Sequence, residues 1–140
     1  MLFLLSAVLI VLLAILSLIH FYWSVGGKKG IELIIPENKE GRKASSPSRL
    51  LVFLIGFSLL LMALFTYMKV FPGHHFLPAW LYENGMIIIA AVFFLRTIGD
   101  FRYVGFFKQI RHSAFAEMDS YYYTPAAVFI CVLALIVEVL

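Results

Sequence analysis

Residues 1–25 read MLFLLSAVLIVLLAILSLIHFYWSV, and the interpretation of this run decides what kind of protein the chain makes. A helix of roughly 20 predominantly apolar residues crosses the hydrocarbon core of a bilayer, and this stretch exceeds that length. It does not resemble a cleaved leader. No basic residue precedes its apolar part, that part is longer than a typical signal-peptide core, and no small-x-small site closes it. The run therefore predicts a retained transmembrane helix over about 1–25. Gly26 and Gly27 should end it, because glycine is the usual residue where a helix stops in a left-handed turn.

Three further apolar runs follow, so the expected fold is an all-α integral membrane four-helix bundle, a single domain over 1–140. The second span is expected at about 49–71, with Gly56 and Ser58 as small residues permitting close helix contact and Pro72-Gly73 as its end. The third should start near Pro78, reach Ile98, and continue as an interfacial extension to about Lys108, with Gly99 and Gly105 as weak points. The fourth should occupy 124–140, with Thr124 as N-cap and Pro125 as first helical residue, behind a belt of Tyr121, Tyr122 and Tyr123. Loops at 26–48 and 109–123 then share one side. The Ile31–Ile35 patch in the first of them is too short to span and should rest at the interface or under the bundle.

Composition agrees: 63% of residues are hydrophobic and 14% charged, and mean hydropathy is +0.98, which leaves too little polar surface to cover a water-soluble domain. The net charge of +3 reflects topology and gives no reason to expect nucleic acid. Of the eleven Lys and Arg, all but Lys69 fall on the side of the two long loops. That is the cytoplasmic bias of membrane insertion, and it puts both termini outside. Cys131 is the sole cysteine, which excludes a disulfide framework, a dithiol redox pair and a cysteine zinc site. The two halves show no convincing repeat of the kind found in many transporters.

Chemistry-bearing residues gather at the basic side. Ser6, Ser17, His20 and Ser24 share one helix face, which should point inward because a polar stripe facing lipid is costly. Trp23 stands one turn beyond His20, as a pocket wall or an interfacial anchor. In the segment 96–108, Arg96 and Asp100 are four apart and would pair on a continuing helix. Tyr103 would lie on the same side, and Arg102 and Lys108 would add further cations able to cradle a phosphate or carboxylate. Asp119 should return to this level, either joining Arg96 or Arg102 in a salt-bridge network or capping the fourth helix. On the other side, His74, His75, Glu83 and Glu138 read as solvated groups with no metal site, and no motif calls for a cofactor.

The succession His20-Phe21-Tyr22-Trp23, Gly26-Gly27, the run from Arg96 to Lys108, then Phe115, Asp119 and Tyr123-Thr124-Pro125 resembles a family of small membrane proteins called domain of unknown function 3995. The likeness extends over nearly the whole chain, and the 96–108 segment is its specific part. It implies a four-helix bacterial membrane protein and supplies no reaction. On the residues themselves, the expected role is to bind a lipid or other amphiphile with an anionic head, lined by His20, Trp23, Arg96, Asp100, Arg102, Tyr103, Lys108 and Asp119. The alternatives are a membrane enzyme moving protons through His20 and an aspartate, or a small transporter. Membrane lipids are the expected partners, and association between copies is left open.

Overall fold

The computed structural model describes residues 1–37, 42, 47–71 and 77–140. Among them it is all-helical, with helices α1 (Leu2–Ser24), α2 (Arg49–Val70), α3 (Ala79–Ile98) and α4 (Ala114–Val139) each long and apolar enough to cross a membrane. They run up and down in chain order. One end of the bundle carries both termini and the short α2–α3 connection, and the other carries the two long connections. The expected Pro72-Gly73 stop, His74, His75, Lys39 and Lys43 lie outside the described residues.

The pairings that dominate are the two hairpins, α1 with α2 and α3 with α4; α1 also meets α4, and α2 touches α3 only lightly. Leu9, Leu13, Leu59, Met86, Ile89, Phe93, Ile130 and Ala134 from all four helices make one buried core. Side chains such as Leu18, Leu54, Leu61, Ile87, Phe94 and Leu135 remain exposed on the outer faces, an arrangement stable against lipid tails and costly against water. Between helices already in lipid there is little hydrophobic drive, so close packing and hydrogen bonds must hold them together. The α1–α2 contact shows both: the Ser17 hydroxyl donates to the Gly56 carbonyl at 2.7 Å, and a Cβ on Gly56 would crowd the His20 Cβ at 3.0 Å. Gly56 is thus spent within the bundle. Ser58 faces outward and donates back to Leu54 O.

The serine face of α1 points inward, with Ser6, Ser17 and Ser24 buried and His20 half-buried. Ser48 caps α2, its hydroxyl accepting from the Leu51 amide. The Ile31–Leu33 patch forms one 3₁₀ turn lodged under the bundle against residues 114–118, with Ile35 buried beside it.

Two expectations need correction. The third helix does not continue to Lys108; it stops at Ile98, where Gly99 takes φ +84° and a Cβ would collide with the Val104 carbonyl. The fourth helix does not start at Thr124. It starts at Ala114, where Ser113 caps it by accepting from the Ala116 amide at 3.1 Å, and Thr124 lies well inside it. Pro125 produced the misleading signal. Proline lacks an N–H and crowds the carbonyl four residues back, and the helix accommodates it by widening into a π turn over Asp119–Tyr123 instead of beginning there.

Candidate functional site

The α3–α4 connection is a compact loop tied to the helix ends. Immediately after Gly99, the Asp100 carboxylate turns back on its own loop: Oδ1 accepts from the backbone amides of Arg102, Tyr103 and Val104 at 2.9, 2.6 and 2.9 Å. Burial works to raise its pKa, but the amides of Tyr103, Val104 and Arg102 outweigh it and hold the carboxyl below its usual 3.8. Asp100 therefore organises the turn and does not pair with Arg96, because the helix that would have aligned them has already ended. The Phe106 amide then donates to Thr97 O at 3.0 Å and the Ile110 amide to Arg102 O at 3.1 Å, folding the loop onto the last turn of α3.

Below this loop lies Asp119, with no exposed surface, inside the π turn of α4. Its Oδ1 accepts from Arg96 Nη2 at 2.6 Å, and its Oδ2 accepts from Lys108 Nζ at 2.9 Å, the Gly105 amide at 2.9 Å and the Thr124 hydroxyl at 3.2 Å. One carboxylate thereby joins the end of α3, the loop and α4. The expected network is present, with Arg96 as foreseen and with Lys108 in the place considered for Arg102. Capping of the fourth helix falls to Ser113. A π turn is a common way to redirect one side chain out of helical register, here the aspartate.

The charges of this group do not cancel. Arg96 and Lys108 are both cationic and share the single carboxylate of Asp119, and the Lys108 side chain is only 4% exposed. Arg96 Nη1 is buried without a hydrogen-bond partner among the described residues. Next to Lys108 opens a cleft of about 190 Å³ lined by Gly105, Phe106, Lys108, Arg111, Ser120 and Thr124. An ammonium has three protons to donate. Asp119 takes one, Gly105 O receives a long contact at 3.5 Å, and the group also borders the cleft. Arg111 and Ser120, which sequence reasoning did not single out, lie exposed at its rim; the Arg111 guanidinium offers donors there, while the Ser120 hydroxyl already donates to Ala116 O at 3.0 Å. No spacing rule links them to Lys108, since the loop fold alone brings them together.

The remaining candidates lie elsewhere at the same end. Arg102 is exposed, with its guanidinium 5.1 Å from the centre of the Tyr103 ring. His20 Nδ1 is bonded to Leu16 O at 2.7 Å, and its ring meets Trp23 edge-on with centroids 5.5 Å apart. Trp23 Nε1 donates to Lys29 O at 2.9 Å, holding the chain that leaves α1. These two are thus occupied with their own segment.

At the opposite end, Glu138 pairs with Lys69, and the Tyr82 hydroxyl donates to Lys69 O at 2.8 Å, closing α2, α3 and α4 on one another. Neither the curated proteins nor the solved structures contain a match to this chain. A family model described as "Protein of unknown function (DUF3995)" matches residues 13–134, the stretch that contains most of the core and the whole Asp119 network, and the chain belongs to that family.

Proposed function

We propose that this membrane protein binds an amphiphile with an anionic head group at its basic end, the head entering the cleft beside Lys108 and Arg111. The observation that carries this reading is the excess of positive charge: two cations, one of them almost fully buried, face one buried carboxylate. An uncompensated charge in a low-dielectric setting is costly, and an anion at the cleft would offset it. Arg111 and the third Lys108 proton would contact the head, and the apolar outer faces of α3 and α4 would take the tail. Arg96 fixes Asp119, which holds Lys108 in place, and Arg102 beside Tyr103 adds positive potential nearby. The reading does not draw on His20 or Trp23.

Proton transfer through Asp119 gains no support, because its two oxygens already accept four donors. The concentration of Lys and Arg at this end argues for the cytoplasmic leaflet of a cell membrane.

The test is native mass spectrometry of the purified protein with phosphatidylglycerol and phosphatidylcholine in competition. The intact protein should retain the anionic lipid preferentially. Arg111→Ala should weaken retention by about 1.5–3 kcal/mol, the worth of a charge-assisted hydrogen bond. Equal retention of both lipids, or full retention by both Arg111→Ala and Lys108→Met, would overturn the proposal.

A further inference from the structure

The loop that covers the cleft carries a second feature, which head-group binding does not use. Phe101, Phe106 and Phe107 are 58%, 58% and 62% exposed, and Tyr121 and Tyr122 at the start of α4 are exposed still further. Three phenylalanines within seven residues, all largely uncovered, make a patch that water does not favour. The backbone gives no relief: Phe101 sits at φ +60°, a conformation uncommon for a non-glycine residue, with its ring exposed and 6.1 Å from that of Phe107.

The position of the loop identifies what covers it. Both of its ends continue directly into membrane-length helices, α3 and α4. It cannot rise far from them, because the Phe106 amide is bonded to Thr97 in the last turn of α3 and the Gly105 amide to Asp119 in the first turns of α4. The patch is therefore continuous with the apolar outer faces of the spans and held near the level of their ends. Its charges fit the same surroundings: Arg102 and Arg111 stand exposed among the rings, and the Asp100 carboxylate is turned onto loop amides. Aromatic rings interleaved with arginines are the composition that settles at the boundary between acyl chains and anionic head groups.

We infer that the α3–α4 loop is a membrane-inserted wedge, its phenylalanine rings dipping into the upper acyl region of the leaflet and its arginines lying among anionic head groups. The lipid layer itself is the partner of this surface, which is independent of any single ligand held in the cleft. Asp100 and Asp119 are what make the wedge rigid, one tying the loop to itself and the other tying it to α4.

A depth measurement decides it. With Trp23 and Trp80 replaced by phenylalanine, a single tryptophan is placed at Phe107, and in a second protein at Phe106. Each is reconstituted in vesicles of phosphatidylcholine and phosphatidylglycerol containing lipids brominated either near the glycerol end or near the terminal methyl of the chain. Lipid brominated near the glycerol end should quench roughly half or more of the emission at one or both positions, with lipid brominated near the methyl quenching less, as expected for an interfacial ring. Thermal unfolding matching that of the parent shows that both reporters are folded. Strong quenching by aqueous acrylamide with none from either brominated lipid at both positions would place the loop in water and overturn the inference. Resistance to all three quenchers at both positions would assign the patch to protein contact, such as a second copy, and would overturn it equally.

Discussion

The two ends of the bundle each bring cations and carboxylates together, but in different proportions. At the end bearing the termini, Lys69 meets Glu138 one to one, with the side chains 15% and 20% exposed. At the other, among the described residues, Arg96 and Lys108 meet Asp119 alone, and the carboxylate has no exposure at all. The first is a neutral clasp between α2 and α4 at the rim of the bundle. The second keeps a net positive charge beside an open cleft. A balanced pair needs nothing further, whereas an unbalanced one draws an anion toward it. The difference therefore separates a group that only fastens helices from one that fastens them and also presents charge.

Removing the central carboxylate is the hardest blow to this contrast. Asp119→Asn leaves Arg96 and Lys108 facing each other without a counter-charge and also weakens the acceptor for Gly105 and Thr124. Breaking a buried pair from one side costs about 3–5 kcal/mol, and the variant should lose that much stability in detergent, measured by thermal or denaturant unfolding. A loss of under about 1 kcal/mol, typical of a surface pair, would show that the network is not the keystone of this end.

How much of this could be read beforehand differs along the chain. The four spans were legible because bilayer thickness sets the length of an apolar run, and α1 and α2 match the expected limits to within a residue, as α3 does at its start. The inward serine face of α1 followed from helical periodicity. The 96–108 segment was misread as helical because Arg96 and Asp100 suit an i, i+4 pair. The competing signal was Gly99 followed at once by Asp100, a residue able to collect loop amides. Thr124-Pro125 likewise imitated a helix start, while the true start at Ser113 carries the same kind of cap with less emphasis. The pairing of Lys108 with Asp119 had no local signature, since they stand eleven positions apart across loop and helix. Contacts made across a folded loop depend on its turns, and Gly99 and Gly105 were read only as weak points of a helix, not as the left-handed positions they are.

The neutral clasp should respond more mildly. Glu138→Gln leaves Lys69 near an interface where its long side chain can reach water, so the expected loss is about 1 kcal/mol. Replacing both partners, Lys69→Met with Glu138→Leu, should be close to neutral, because an ion pair can give way to apolar packing when neither charge is left behind. The same strategy should fail at the other end, where substituting Lys108 and Asp119 together still strands Arg96. Unfolding of the two double variants side by side checks the contrast, and equal losses at both ends would erase it.

Acid distinguishes the ends by a smaller amount, through Asp100. Its carboxyl titrates below 3.8 in the folded protein because the amides of Tyr103, Val104 and Arg102 favour the ionised form over the opposing effect of burial. A carboxyl whose folded pKa lies below its unfolded value stabilises the fold above the unfolded value, and this contribution disappears as the pH falls through the folded one. The wild-type protein should therefore be more stable than Asp100→Asn at neutral pH, and the gap should narrow as the pH drops below about 4 and on through the lower folded value. Asp100 is exposed and water screens its charge, so the gap should be on the order of 0.5 kcal/mol. The asparagine keeps an acceptor oxygen for the same amides, so the comparison isolates charge from hydrogen bonding. Stability curves for the two proteins running parallel across that range would show that the loop is held by geometry alone, leaving the charge of Asp100 no part in positioning the wedge above the cleft.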